Sequence, residues 1–450
     1  MIRLAIICFL ISMIRSEECI FNIDEVDELR QLFHDSERRM EAATRGQSGN
    51  AAIVIGSARS GKSTLINYLM GNALIAYKEK REIKIKKANN NVRGPEIGAG
   101  SVSVTTIPTR WNSERSALQN LDIWDTAGFA DNRGVMQDFN NSFHLYHLTR
   151  KVNSLKFILV INFDDIDTDN IEWIKGLLNT LESYFTDRFR NFFPSISVII
   201  SEAPHVNDFQ FLVNYEYINK KLNTSLLSNS QSSVSEVLKD FERHIIRHNQ
   251  QVAFFRKVKK VGRVTSDIDD NIIPAINNCD SIKKPSHQDI GLTISQESKL
   301  CLLSANEELM SLNEILKFET TLNNSFSAFC QSNDTNTLQT NKADLNRINE
   351  SLKTSLDNNS VAEVKIQILK MINDNLKNYI KNEKLENKIS LIKFIDSILK
   401  TKRMSYIATV VNGLVNGVQA KIRSLLTTCS HKLNEITKNE FRKKLKIPRT

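Results

Sequence analysis

The chain has 450 residues, 41% of them hydrophobic and 25% charged, with a net charge of +9. That length exceeds what one hydrophobic core usually serves, so two or three domains are expected, and the composition excludes a disordered or fibrous chain. Lysines and arginines mingle with acids throughout, which argues against a nucleic-acid binder with one dedicated basic face.

The N-terminus Met1-Ile2-Arg3 leads into the apolar run Leu4 to Ile14. That run is shorter than the roughly 20 residues a spanning helix needs. A basic start, a short apolar core and the small residue Ser16 give residues 1–16 the pattern of a secretory signal. Six cysteines (Cys8, Cys19, Cys279, Cys301, Cys330, Cys429) are scattered with no C-x-x-C spacing, so neither a zinc site nor a dense disulfide framework is expected. Residues 22–45 read as an amphipathic helix with Ile23, Val26, Leu29, Leu32 and Phe33 on one face, packing against the domain that follows.

Ala51 to Ile55 is an apolar strand, and Lys62 to Leu74 has helical character. Between them, Gly56-Ser57-Ala58-Arg59-Ser60-Gly61-Lys62-Ser63 fits the G-x-x-x-x-G-K-[ST] pattern at every fixed position. Strand, loop and helix in that order are the context this motif requires. Its glycines let backbone N–H groups cradle a di- or triphosphate, and the helix N-terminus adds partial positive charge. Lys62 is the candidate for the β- and γ-phosphates, and Ser63 for Mg²⁺. The whole loop from Gly56 to Thr64 is the candidate nucleotide-binding segment.

Lys78 to Lys87 alternates charge with few apolar residues and reads as a solvated edge strand or loop. A glycine-rich stretch (Gly94, Gly98, Gly100) runs into Ser101-Val-Ser-Val-Thr105-Thr106. Leu121-Asp-Ile-Trp124-Asp125-Thr126-Ala127-Gly128 is a strand ending in a carboxylate, followed by a turn ending in glycine. Asp125 can hold Mg²⁺, usually through water, and the Gly128 N–H can touch a γ-phosphate.

On these three stretches, residues 46–265 resemble a GTPase domain of the translation-factor-related P-loop class, nearest to septins and immunity-associated GTPases. The resemblance implies an α/β fold, a mostly parallel doubly wound sheet with helices on both faces. It implies GTP and Mg²⁺ as ligands, with ATP left open. Thr105 or Thr106 would close over the ion and the γ-phosphate, spacing leaving the choice between them open, and a second switch would begin at Gly128. Lys62, Thr105, Thr106 and Gly128 are thus the candidate catalytic groups, and Ser63, Asp125 and one of the two threonines the metal ligands.

Further buried strands are expected at Phe157–Ile161, Ser195–Ile200 and Val252–Phe255, with a helix over Ile171–Phe189 and helices with polar loops between Asn214 and Gln250. Asp164 to Asn170 lacks the glycine and glutamate of a calcium loop, and Asp169 or Asn170 reads as a helix cap. The pairs His144/His147 and His244/His248 have no evident third ligand and read as ordinary exposed or core residues. Prolines, glycines and polar runs mark 266–296 as a linker. From 297 to 450, apolar stripes at helical spacing predict an all-α bundle or stalk: Val361, Val364, Ile368, Ile372, Leu376; Leu385, Ile389, Ile392, Ile395; and Val411, Leu414, Val418, Ile422, Leu425. The tail Lys438–Arg449 reads as a frayed, solubilising end with weak contact to acidic membrane as the alternative.

Two departures from the family pattern stand out. The Asn/Thr-Lys-x-Asp guanine motif has Ser201-Glu202-Ala203-Pro204 in its place, with Glu202 the one carboxylate on offer. Asn341-Lys-Ala-Asp344 has the right letters in the wrong half of the chain. Phe129 stands where many small GTPases carry a water-orienting glutamine, which predicts slow intrinsic hydrolysis. The expected function is a GTP-binding switch or assembly GTPase, with a protein partner or self-association through either half. The alternatives are a secreted or lumenal interaction protein with a vestigial nucleotide domain, and an ATP-using P-loop protein. The N-terminus points to the secretory route, the nucleotide chemistry to the cytoplasm.

Overall fold

The computed structural model describes residues 21–47, 49–80, 82–98, 107–129, 133–168, 171–224, 235–311, 329–355, 364–367, 383–400 and 404–445, with single positions 105, 320 and 324. The secretory-signal reading of 1–16 therefore lies outside the described residues. The chain divides into two compact units, one spanning Glu28–Leu300 and the other taking in Cys301–Thr450.

The first unit begins within helix α1 (Ile23–Ala43), at Glu28; strand β1 (Asn50–Ile55) follows, and then α2 (Lys62–Met70). Gly71, at φ +92°, ends α2 earlier than the sequence suggests, so that Leu74 opens a strand instead of closing the helix. The unit continues with β2 (Leu74–Glu79), β3 (Glu82–Lys87), β4 (Thr109–Asn112), β5 (Asp122–Asp125), α3 (Val135–Lys151), β6 (Ser154–Asn162) and the short α4 (Phe163–Asp167). Then come α5 (Ile171–Phe185), α6 (Phe189–Phe192), β7 (Ile196–Ala203), α7 (Tyr215–Leu222), α8 (Glu236–Arg247) and β8 (Val252–Arg256). Four short pieces close the unit: β9 (Gly262–Arg263), β10 (Asp269–Asp270), α9 (Ile272–Asn277) and β11 (Ile282–Lys283).

Eight strands form one sheet in the order β10-β8-β7-β6-β1-β5-β4, with β11 pairing β6. The five central strands β8, β7, β6, β1 and β5 are parallel, and β4, β10 and β11 are antiparallel additions. Strands buried on both faces read as unbroken apolar runs, which is why β1, β6, β7 and β8 are visible in the sequence. Alternate residues feed two cores. Ala51, Ile53, Ile55, Phe157 and Leu159 pack with α5 and α8 through Leu177, Leu181, Phe241 and Ile245. Ala52, Val54, Ile158 and Val160 pack with α2 and α9 through Leu65, Ile66, Leu69, Ile272 and Ile276. Helices therefore cover both faces.

Several expectations change. Much of the stretch 266–296, read as a linker, extends the sheet unit instead, through residue 290. Asp269 and Asp270 pair with Phe255 and Phe254, and Ile272, Ala275 and Ile276 are buried. Pro274 is tolerated because it sits in the first turn of α9, where its missing N–H would have no helical partner. The lysine-rich stretch is a β2–β3 hairpin in a separate three-stranded sheet with β9. Its charges pair locally, Lys84 with Glu79 at 2.5 Å. Cap duty before α4 falls to Asn162, whose side chain accepts from the Asp164 N–H at 2.9 Å, while Asp169 and Asn170 lie outside the described residues. His144 and His147 are buried on α3, the latter against Phe33 of α1. Among the described residues no group of three or more His, Cys, Asp or Glu could hold a metal.

The second unit is helical. It is entered through α10 (Gln296–Met310) and contains α11 (Thr335–Ser355), α12 (Glu383–Leu399) and α13 (Met404–Lys444). With 41 residues, α13 runs about 60 Å. Its stripe Val411, Leu414, Val418, Ile422 and Leu425 is buried, as are Ile389, Ile392 and Ile395 of α12 and Leu338, Leu345 and Leu352 of α11. Of the first predicted stripe, Val364 is exposed and the remaining four residues lie outside the described ones. The basic end is helical through Lys444 rather than frayed. A disulfide joins Cys330 to Cys429 across 99 residues, and Cys301 is also disulfide-bonded, so cysteine cross-links that the spacing did not suggest are present.

One buried acid marks the first core. Glu242 on α8 is 3% exposed, its Oε1 has no hydrogen-bond partner, and it lines a cavity of about 40 Å³ with Leu178, Ile200, Phe241 and Ile245. Burial pushes its carboxyl up from 4.5 to about 8, against a small opposing pull from Arg243. The folded state holds this proton more tightly than the unfolded chain. Its stabilisation is therefore complete below pH 4.5 and is lost as pH rises to about 8, a change on the order of a few kcal/mol. Glu242→Gln should flatten the pH dependence of urea unfolding across that window. A gap between variant and parent that does not change with pH would contradict this origin.

Candidate functional site

Strand β1 lies between β5 and β6, which the chain reaches on opposite sides of it, so the carboxyl end of β1 faces a topological switch point. Such a point is where open α/β sheets bind ligands. The Gly56–Ser63 loop fills this position. Gly56 adopts φ +146° and Gly61 φ +86°, and Arg59 between them is left-handed at φ +65°. Gly61 also starts α2 with no side-chain cap, so the first N–H groups of the helix are left for whatever enters the loop.

The glycines are required by close approaches from three directions. A Cβ on Gly56 would lie 2.4 Å from the Val160 carbonyl oxygen of β6. On Gly61 it would press on Ser201 of β7 at 3.3 Å, and on Gly128 it would lie 2.4 Å from the Ala58 nitrogen. The segment after β5 is therefore laid directly on the loop. The Phe129 N–H donates to the Gly56 carbonyl at 3.0 Å, and Ser57 and Phe129 form a parallel bridge.

Lys62 is 8% exposed, and its ammonium donates to the Gly56 and Ser57 carbonyls at 3.1 and 2.7 Å. A buried cation held by two loop carbonyls curls the loop around a fixed positive charge. Asp125 is 2% exposed and lies in register with Val54, two residues before Gly56. Thr126, beside it, donates to the Val54 carbonyl at 2.6 Å. Asp125 Oδ2 accepts from the Thr105 hydroxyl at 2.9 Å, whereas Oδ1 is buried without a partner. Burial pushes this carboxyl up to about 6; Lys62, the Thr105 bond and the Thr126 backbone N–H pull the other way. A desolvated carboxylate oxygen with no donor is the site's clearest deficit and suits a cation.

Thr105 is the switch candidate brought to Asp125, and Arg133 donates to its carbonyl at 3.0 Å. Thr106 lies outside the described residues. Ser63 and Thr64 are partly buried in the first turn of α2, and the Ser60 hydroxyl is buried without a partner. Phe129 is 5% exposed and belongs to the core, so its ring is a packing group and not a solvent-facing one.

Sequence reasoning did not anticipate Ser201 as a buttress. Its hydroxyl donates to the Ser60 carbonyl at 2.7 Å, fixing the loop against β7, and a lone serine at a strand end carries no sequence signal for that. Beside it, Glu202 is left-handed at φ +53° where the β7–β8 register shifts between Ser201 and Ala203. The bulge leaves Glu202 at an exposed position. Desolvation of its carboxyl raises its pKa, Lys257 opposes the rise, and Asp164 and Glu82 add to it. Asn341 and Asp344 lie on α11 in the helical unit, far in sequence from these strands.

No protein-family model matches the chain, and comparison with curated proteins finds no match.

The close approaches yield a paired test. Gly128→Ala should cost roughly 1–3 kcal/mol, because its methyl meets backbone that cannot move aside. Gly176→Ala, on α5 with nothing within 4 Å, should instead gain up to about 1 kcal/mol. Equal melting shifts for the two variants would contradict the contact between the Gly128 segment and the loop.

Proposed function

We propose that this chain is a GTP-binding protein of the P-loop GTPase type, a slow GTPase acting as a nucleotide-dependent switch or assembly protein. The observation that carries this reading is the pairing of a buried Lys62, held on loop carbonyls at an uncapped helix start, with a buried Asp125 whose Oδ1 lacks a partner. Polyphosphate and Mg²⁺ together answer both features. Lys62 would exchange its bonds to Gly56 and Ser57 for phosphate oxygens, and the loop N–H groups from Gly56 to Thr64 would line the phosphate chain. Ser63 and Asp125 would hold Mg²⁺, which supplies charge neutralisation on the phosphates when bound. Thr105 would turn its hydroxyl from Asp125 toward the ion, and that exchange links nucleotide state to the preceding loop.

The segment at Gly128 would sense the γ-phosphate through its contact with Ala58. Phe129 packs in the core and offers no donor to orient water, which supports slow hydrolysis without a partner. Guanine preference rests on Glu202, the carboxylate that the β7 bulge leaves exposed. The helical unit would read the switch through a protein partner or self-association.

Titrating the full chain with fluorescent guanine and adenine nucleotides tests this. Mg²⁺-dependent binding that Lys62→Ala weakens at least tenfold is expected, with GTP favoured over ATP and the preference reduced by Glu202→Gln. Equal affinity for both bases would remove the guanine assignment, and binding indifferent to Lys62 would remove the site.

The second reading, a secreted or lumenal interaction protein with a vestigial nucleotide domain, is favoured by the Cys330–Cys429 disulfide, since such bonds persist in oxidising compartments. A bridge closing a loop of about 100 residues stabilises by roughly 4–5 kcal/mol in the chain-entropy account. Reduction should therefore lower the melting temperature of the parent and leave a Cys330→Ser/Cys429→Ser variant less affected. Identical responses to reductant would show that the bond carries no stability.

A further inference from the structure

The turn between β7 and α7 presents four apolar side chains to solvent. Phe209 is 78% exposed, Phe211 62%, Leu212 62% and Val206 44%. Their density sets them apart from the other exposed hydrophobics, because all four fall in one seven-residue turn. Hydrogen bonds tie the backbone of the turn together. The buried Asn207 accepts from the Phe209 and Phe211 N–H groups through its Oδ1 at 3.1 and 3.0 Å, and its Nδ2 donates to the Tyr217 hydroxyl at 3.0 Å. Asn207 N–H donates to the Phe211 carbonyl and Val213 N–H to the His205 carbonyl, both at 2.9 Å. At its base the buried Arg256 donates to the Pro204 and Val213 carbonyls at 3.2 and 2.8 Å, with Asp270 as its counter-ion. Apolar groups held outward by a fixed backbone lose little conformational entropy on docking.

A basic run starts at the foot of the same turn. The Lys257 N–H donates to the Ala203 carbonyl at 3.0 Å, and Lys257, Lys259, Lys260 and Arg263 are all exposed, as is Val261 at 60%. Desolvation, and after it the nearby Lys259, holds His205 below its ordinary pKa. The acids nearby are Glu202, which Lys257 faces, Asp208 in the turn, and Asp267 and Asp270, the last engaged by Arg256. The four cations exceed by one the three acids that remain, Glu202, Asp208 and Asp267. Exposed apolar side chains flanked by cations suit the boundary between headgroups and acyl chains of an anionic bilayer.

We propose that the Pro204–Val213 turn is a peripheral membrane anchor, inserting Phe209, Phe211 and Leu212 between lipids while Lys257, Lys259 and Lys260 meet anionic headgroups. This does not depend on what the Gly56–Ser63 loop binds.

The test is sedimentation of the full chain with phosphatidylcholine vesicles, with and without phosphatidylserine, alongside a Phe209→Trp variant whose emission, after subtraction of the parent's, reports insertion. Binding to the anionic vesicles that weakens with salt, with a blue shift in the emission of the introduced indole, is expected. Phe209→Ser/Phe211→Ser should reduce partitioning by at least about tenfold. Lys257→Glu/Lys259→Glu/Lys260→Glu should reduce it on the order of a hundredfold. All these side chains are exposed, so the variants should melt like the parent. The proposal is overturned by no vesicle binding, by binding without a blue shift, which would assign the contact to another basic segment such as Lys438–Lys443, or by vesicle-independent self-association that the phenylalanine pair alone abolishes.

Discussion

Three strands crowd the loop after β1, and at Gly56 and Gly128 backbone approaches so closely that no side chain could enter. Val160 of β6, Ser201 of β7 and the Gly128 segment after β5 each approach the loop where it has a glycine or, opposite Gly128, where the approaching residue is one. The register of β1 with β5 and β6 fixes those approaches, Val54 opposite Asp125 on one side and Ile158 on the other. Everything at the site follows from that crowding. It buries Lys62 on loop carbonyls, carries Asp125 into a dry position beside the loop, and ties the Phe129 N–H to Gly56. A charge in such a place needs a partner. Lys62 has found one in the loop, and half of the Asp125 carboxylate has not.

The parallel core of the sheet could be read because strands covered on both faces must be apolar at nearly every position, and β6 and β7 are. The glycine-rich loop could be read because its conformational demands restrict residue choice at fixed positions. Other features left no such trace. The two-residue strands β10 and β11 are too short for any periodicity, so 266–296 looked like a linker although Ile272 and Ile276 are buried beneath the sheet. Ser201 acts through one hydroxyl and one Cβ contact, and no local pattern separates it from any other serine. Glu242 occupies a position on α8 that would suit an apolar residue. Cys330 and Cys429 are 99 residues apart, and only the packing of helices brings them together.

The two units rest on different physics. The sheet unit is held by long-range strand register and two apolar layers. The helical unit is held by stripes on α11, α12 and α13 with a covalent clasp, a combination that keeps long, modestly apolar helices together. In the proposed function, a switch in the first unit that reorders Thr105 and the Gly128 segment would be a local event, and the second unit would supply area for partners.

The central claim is that Ser63 and Asp125 hold one ion on one polyphosphate, and a double-mutant cycle tests it most directly. Mg²⁺-dependent nucleotide affinity would be measured calorimetrically for the parent, Ser63→Ala, Asp125→Asn and the pair. If both residues serve the same ion, the double variant loses little more affinity than the more damaging single variant, with a coupling of at least about 1 kcal/mol. Losses that simply add, or affinities that ignore Mg²⁺ in all four proteins, would contradict it.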